Sequence, residues 1–150
     1  MSTQQERKEC DEKVEFIIEK TCNGNIFAEV YLGMVARCTR VIDDIYDQDH
    51  EVSREKLLEV LEYLFINIPA NPFFIEHRER LFSQHISMWN AWMASNYLSD
   101  GDETDQLYAH VLRDACNELL PIVAMLTGGP AHMKIISAEI RTLFKKQIGE

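Results

Sequence analysis

The residues that break helices constrain the fold of this 150-residue chain more than any other feature. Glycine, proline and short polar clusters stand between long stretches in which apolar residues recur at helical spacing. No stretch combines enrichment in β-branched residues, period-two alternation and a hairpin dipeptide, which together would indicate strands. The sequence therefore predicts an all-α protein.

Six helices follow from the start and stop signals. The predicted helices run from about Thr3 to Cys22, Asn25 to Asp47, Ser53 to Ile68, Pro72 to Leu98, Asp105 to Leu126 with a kink at Pro121, and Pro130 to Gln147. Gly24 is expected to end the first helix in a left-handed conformation, and Asn25 and Ser53 are expected to cap the helices that follow them. Short loops between long helices predict an antiparallel helical bundle that forms a single domain over residues 1–150.

The formal net charge of −10 bears on the partners. General nucleic-acid binding needs a basic surface, so an acidic chain favours a basic protein partner or simple solubility. The longest apolar run, Leu119–Leu126, is too short to span a bilayer, and the charged N-terminus has no apolar signal-peptide region. The spacing of the 4 cysteines matches no metal motif, which favours reduced thiols in the cytoplasm.

Four aspartates crowd the stretch RVIDDIYDQDH, and three of them are expected to share one face of the second helix: Asp43, Asp44 and Asp47. In one interpretation this face is solvated, and Arg40 pairs with the acids at i+3 and i+4. In the other, the three carboxylates hold Mg²⁺. The letters DDIYD have the spacing of the aspartate-rich motif of class I isoprenoid synthases, which implies diphosphate chemistry with Arg40 and Arg113 as phosphate contacts. That resemblance also suggests Asp114 and Glu118 as ligands of a second metal.

A second enzyme template pairs DEKVE (11–15) with DIYD (44–47), as in the all-α nucleotide pyrophosphohydrolases. A tight hairpin at Gly24 would place Glu15 opposite the region of Gly33. That is roughly 16 Å along the axis from Asp44, at 1.5 Å per residue. The hairpin geometry therefore argues against this template.

The fourth predicted helix carries four polar and aromatic residues on one face: His85, Trp89, Trp92 and Asn96. They are either part of a core stripe with hydrogen-bonded polar members, or the wall of an aromatic groove that binds a partner or small ligand.

Arg113 stands at the border of an apolar stripe, where a buried charge needs a carboxylate. We therefore expect Arg113 or Arg40 to pair with Asp43, Asp44 or Asp47, which would explain DDIYD without a metal. Loss of a partly buried Arg113 would then cost roughly 3–5 kcal/mol, because it leaves a carboxylate uncompensated.

From DDIYD through NPFF (71–74) to VLRD (111–114), residues 35–141 resemble small helical proteins encoded by tailed bacteriophages. The resemblance implies a phage or prophage origin, in the host cytoplasm or the virion, and no mechanism. The predicted function is a non-enzymatic helical module, without a cofactor, that contacts a protein partner or a second copy of itself. The alternative is a Mg²⁺-dependent diphosphate-binding protein, hydrolase or synthase that uses the three aspartates.

Overall fold

A computed structural model describes residues 3–145. Within that range the chain contains no strand, and the all-α prediction is confirmed with six helices of nine or more residues. The α-helices are α1 (Gln4–Cys22), α2 (Ile26–Asp47), α3 (Arg54–Glu62), α4 (Ile68–Ala70), α5 (Pro72–Glu76), α6 (Arg78–Leu98), α7 (Glu103–Ala115) and α8 (Leu119–Leu143). The predicted helix end near Gln147 lies outside the described residues.

Polar caps set the starts of the helices, as the sequence predicts. The Thr3 hydroxyl accepts the Glu6 N–H, and the Glu6 carboxylate accepts the Thr3 N–H in return, which completes a capping box. The side chains of Asn25, Ser53 and Asp102 cap α2, α3 and α7 in the same manner. Asn23, with φ 51°, is the left-handed residue that ends α1, and Gly24 follows it with φ 84°. The expected glycine C-cap is thus displaced by one residue.

Two predicted helices are interrupted, one by tertiary packing and the other by a proline. The helix expected over 72–98 is broken at His77, because α5 is anchored separately through its buried Phe73 and Phe74. The helix that starts after Ser53 changes to a π-helix over Tyr63–Asn67, just before Pro69. Pro69 has no N–H to offer to the carbonyls one turn back, so the regular α-helical ladder cannot continue through it.

The predicted kink at Pro121 is wrong in position. A 3₁₀ turn at Cys116–Glu118 separates α7 from α8, so Pro121 falls in the first turn of α8. Proline is tolerated there because the first N–H groups of a helix have no intrahelical partner. The predicted break at TGGP is present as Gly129, whose φ of 83° is non-helical within α8.

The chain divides into two compact units, Met1–Glu76 and His77–Glu150. In the first unit α1 and α2 form an antiparallel hairpin, here called the first hairpin. The Asn71 side chain holds α5 to it, donating to the Phe27 carbonyl at 3.0 Å while accepting the Phe74 N–H. The core of this unit is almost entirely apolar and is centred on Ile17, Cys22, Ala28, Tyr31, Leu32, Val41, Phe73 and Phe74.

In the second unit α6 and α7 form an antiparallel pair, here called the second hairpin, and α8 packs on α6. The antiparallel direction follows from two contacts: Arg113, near the end of α7, donates to Ser95 near the end of α6, whereas Cys116, just after α7, contacts the Met88 carbonyl in the middle of α6. The apolar core residues are Leu81, Ala109, Leu119, Val123, Ala124, Ile136 and Ile140.

Length and composition alone would allow one described stretch, Glu103–Leu143, to cross a membrane. Core helices of soluble proteins meet the same two criteria. This stretch is also interrupted by the 3₁₀ turn and by Gly129. The expected absence of membrane contact stays a prediction.

Candidate functional site

Asp44, at the centre of the DDIYD motif, pairs with an arginine from the start of the chain. Arg7 Nη2 donates to Asp44 Oδ2 at 2.8 Å, and both side chains are largely buried. This hydrogen bond is the main reason why the pKa of Arg7 is raised. The carboxylate near the C-terminus of α2 is therefore offset by a cation, as the unfavourable interaction with the helix dipole requires.

Arg40 does not pair with the aspartate cluster, so that part of the prediction is wrong. It donates to Asp11 Oδ1 at 2.6 Å and contacts Cys10 Sγ at 3.6 Å, both on α1. The first hairpin brings the start of α1 next to the end of α2, and Arg40 thus faces an acid on the neighbouring helix rather than one on its own. The pairing of Arg113 with Asp43 or Asp47 stays a prediction.

The structure brings together a different trio of potential metal ligands from the one that the sequence predicts. One ligand atom each from Asp44, Asp49 and His50 lies within 4.8 Å of the others. These residues line a shallow depression at the end of α2. Gln48 ends the helix in a left-handed conformation, and this turn brings Asp49 and His50 back towards Asp44. Asp43 and Asp47, the other two predicted ligands, are not members of this trio.

His50 is held between the two carboxylates without a formed hydrogen bond at Nδ1. That atom is buried and lies 3.1 Å from Asp49 Oδ1 and 3.6 Å from Asp44 Oδ1. The contact with His50 is the main cause that lowers the pKa of Asp49 below its ordinary 3.8. A nitrogen and two carboxylates could bind a divalent cation, but Arg7 already neutralises one of those carboxylates.

Arg113 donates to two neutral groups within the second hairpin. Its Nε donates to Ser95 Oγ at 2.8 Å, and its Nη2 donates to Asn96 Oδ1. Ser95 in turn donates to the Trp92 carbonyl at 2.7 Å, so its hydroxyl is oriented to accept from the arginine. Both Ser95 and Asn96 are buried on α6. This cluster joins two of the predicted binding residues, Asn96 and Arg113, in a role that holds helices together.

The predicted face of His85, Trp89, Trp92 and Asn96 lies at the border between buried and exposed surface. Asn96 is buried, whereas Trp89 is 55% exposed, so the core interpretation does not hold for that tryptophan. The rings of Trp89 and Trp92 have centroids 5.3 Å apart and contact each other. Burial lowers the pKa of His85 below its ordinary 6.5.

The residues suggested for a second metal site are engaged by a cation of the chain itself. Arg141 of α8 contacts Glu118 and lies 3.5 Å from Asp114 Oδ2. Glu118 is the main reason why the pKa of Arg141 is raised. An ion-pair network accounts for these two acids without a metal.

A dense group of exposed apolar residues in the first unit lies on α3 and the π-helix. Six side chains there, here called the α3 face, are exposed by 39% to 78%: Leu57, Leu58, Leu61, Leu64, Phe65 and Ile66. Val60 and Ile68 point the other way and are buried. An apolar surface of this density is typical of an interaction site.

Arg7, Asp49 and His50 were not among the residues that the sequence singles out for this site. The hairpin geometry that separates Glu15 from Asp44 also places Arg7 opposite Asp44, so Arg7 could have been found by the same reasoning. The approach of Asp49 and His50 depends on the left-handed Gln48, and no residue pattern indicates that conformation.

No protein-family model matches the sequence, and no curated protein or solved structure is significantly similar to it. The resemblance to small phage proteins is therefore still a prediction.

Proposed function

We propose that the protein is a non-enzymatic helical module that acts through protein–protein contacts, with the α3 face as a principal contact surface. The observation that carries this proposal is the exposure of six large apolar side chains within ten residues. Covering the exposed half of a leucine or phenylalanine side chain contributes roughly 1 kcal/mol. A partner that covers most of the six side chains therefore gains several kcal/mol of binding free energy.

The charges beside the α3 face support a partner with a basic border. Glu55 and Glu62 lie along one edge of the face, about 100–120° from its centre. Both are exposed, and neither has an ion-pair partner in the range 3–145. Glu59, which lies farther round the helix at about 160° from the centre of the face, pairs with Arg37 at 2.9 Å. The matching surface is an apolar helix or patch bordered by lysine or arginine.

The π-helix gives the face its shape. The Ile68 N–H bonds to the Tyr63 carbonyl five residues back, so one extra residue is inserted into the turn. This insertion rotates the residues that follow, and Ile68 is thereby buried while Phe65 and Ile66 face outward. π-Helical turns occur frequently at functional sites, which adds support to an interaction role.

A phage or prophage origin belongs to the same proposal and rests on the resemblance of residues 35–141. It would place the protein in the host cytoplasm or the virion. The acidic chain, with a net charge of −10, supports a basic protein as the partner rather than nucleic acid.

The experiment uses two synthetic amphipathic helical peptides with the same leucine stripe, one bordered by lysines and the other by glutamates. We expect the lysine peptide to bind more tightly and to weaken as salt is raised. The variant Leu58→Ser/Phe65→Ser should lose most of this binding, whereas Phe82→Ser/Ile86→Ser in the second unit should keep it. Equal binding of both peptides, or no effect of the Leu58/Phe65 variant, would overturn the proposal.

A second candidate function is divalent-cation binding at Asp44, Asp49 and His50, favoured by the convergence of their ligand atoms within 4.8 Å. A site with an imidazole suits Mn²⁺ or Zn²⁺ better than the Mg²⁺ that three aspartates would bind. Calorimetry with each of the three ions tests this, with His50→Ala as the variant and His110→Ala as the control. The absence of a heat signal with any of the three ions at millimolar concentration would remove this candidate function.

Catalytic turnover that is lost in Asp44→Asn would instead favour the alternative function, a Mg²⁺-dependent hydrolase or synthase.

A further inference from the structure

Helix α6 has a second apolar face besides the one that packs in its own unit. Five large side chains with a spacing of three or four residues form this face, here called the α6 stripe: Phe82, Ile86, Trp89, Met93 and Tyr97. Each is at least 50% exposed, and Tyr97 is 86% exposed. On a regular helix they fall within an arc of about 80°.

The α6 stripe is not a continuation of the core. The buried residues of α6 are Leu81, Ser95 and Asn96, and their mean direction lies roughly 115° from the centre of the stripe. A narrow apolar stripe with this spacing matches the seam along which two helices pack side by side.

Opposite charges stand at the two ends of the stripe. Arg78 begins α6 and Asp100 follows its end, each eleven positions from Trp89. Both side chains are exposed, and among the described residues neither has an ion-pair partner. Each also has the unfavourable sign for its own end of the helix dipole. Residues 78–80 carry a net positive charge even with Glu79 included, whereas 99–103 carry only acids.

We propose that a second copy of this chain docks on the α6 stripe, with the two α6 helices antiparallel about a two-fold axis at Trp89. A two-fold interface requires that residue i contacts j and that j contacts i. Here Trp89 meets its own counterpart, and the pairs Ile86 with Met93 and Phe82 with Tyr97 face each other to within one residue of the two-fold register, about 1.5 Å along the helix.

In this arrangement Arg78 of each copy lies beside Asp100 of the other, so two ion pairs close the ends of the seam. The antiparallel direction also sets the helix dipoles in opposition. With 21 residues, α6 offers a seam of roughly 31 Å at 1.5 Å per residue. The inference rests on the proposed function only in assigning the protein a role in protein contacts, because it concerns a different face.

The test is sedimentation equilibrium of the full chain over a range of concentrations, with circular dichroism to verify the helical content of each variant. We expect a concentration-dependent dimer. Ile86→Glu/Met93→Glu should raise the dissociation constant roughly a hundredfold or more, because each change acts twice at the centre of the seam. Leu58→Ser/Phe65→Ser on the α3 face is the matched control and should leave the dimer intact.

A charge reversal tests the antiparallel direction. Arg78→Asp or Asp100→Arg alone should weaken the dimer about two- to tenfold, because each disturbs two symmetric ion pairs. The double variant Arg78→Asp/Asp100→Arg should restore it. In a parallel pair Arg78 would face Arg78, and the double variant would bring no such recovery.

A protein that stays monomeric at all concentrations, or a dimer unaffected by Ile86→Glu/Met93→Glu, would overturn the inference. So would charge-reversed single variants that the double variant does not rescue. Binding of the lysine-bordered peptide to the α3 face is measured separately. A parent protein that binds the peptide but stays monomeric would contradict the self-association alone. A parent protein that forms the dimer but does not bind the peptide would contradict only the proposed function.

Discussion

Each of the two helical hairpins contains an arginine that links its neighbouring helices, but the two arginines have different hydrogen-bond partners. In the first hairpin Arg7 of α1 meets the carboxylate of Asp44 on α2. In the second, Arg113 of α7 meets the hydroxyl of Ser95 and the amide of Asn96 on α6. Well-placed neutral acceptors can therefore take two of the donors of a partly buried arginine.

The largest effect is expected for Arg113→Ala. The change removes the donor to the buried Asn96 Oδ1, while Ser95 keeps its own hydrogen bond to the Trp92 carbonyl. We expect a loss of about 1–3 kcal/mol in the free energy of unfolding, measured by urea denaturation. This is less than the 3–5 kcal/mol expected when a carboxylate is left uncompensated. Lys134→Ala, on the exposed surface of α8, is the control. A loss of more than about 3 kcal/mol would show that Arg113 also compensates an acid.

A smaller effect is expected for Arg7→Ala. The pair with Asp44 is charge-assisted but partly exposed to water, with 22% and 14% of the two side chains accessible. Asp44 also keeps its contact with His50. The expected loss is about 1–2 kcal/mol, and it should shrink in high salt, unlike that of Arg113→Ala. Lys13→Ala on the same helix serves as the reference. If salt reduced the loss in the free energy of unfolding equally for Arg7→Ala and Arg113→Ala, the two arginines would not differ in their partners as described.

The hairpins should also differ in the pH at which they lose stability. Burial lowers the folded pKa of His85 below 6.5, so the unfolded state takes up the proton first, and stability present above pH 6.5 is lost as the pH falls below it. The lowered pKa of Asp49 stabilises the fold above pH 3.8, and that contribution is lost only as the pH falls further.

His85→Gln should therefore reduce the loss of stability between pH 7.5 and 5.5, as measured by urea denaturation at both values. His110→Gln changes an exposed histidine of the same hairpin and should leave the loss unchanged. An identical loss in the parent and in His85→Gln would contradict this assignment.

The smallest effect is expected for Arg37→Ala. Arg37 and Glu59 form an ion pair at 2.9 Å, but both side chains are more than 40% exposed. Such pairs contribute about 0–1 kcal/mol, because water screens the charges and two long side chains must be ordered. A loss similar to that of Arg7→Ala would show that exposure does not separate the two pairs.

The sequence predicts helix starts well because their causes are local. Asn25 and Ser53 each cap a helix through an oxygen three residues from the N–H that it accepts, so a short stretch carries the whole signal. The break at His77 is not local, since it accompanies the packing of Phe73 and Phe74 against Tyr31. Helical periodicity continues through that point, and only tertiary contacts reveal the interruption.

The candidate site was predictable only in part. Asp44 was correctly singled out as an acid that needs a cation, but its arginine comes from 37 residues earlier in the chain. The α3 face was not predictable, because the spacing of Leu57, Leu61 and Leu64 is the same whether another helix covers them or water does. Exposure is a property of the assembled structure.

The contacting pair Trp89 and Trp92 has an optical consequence. They are the 2 tryptophans of the chain, and both lie on α6 in the second unit. Intrinsic tryptophan emission is thus a selective reporter of that unit, and it is silent about the first. The unfolding of the first unit has to be followed by another signal, such as far-ultraviolet circular dichroism or the absorbance of tyrosines that include the buried Tyr31. A comparison of the two signals along one urea titration would resolve whether the hairpins melt together or in sequence.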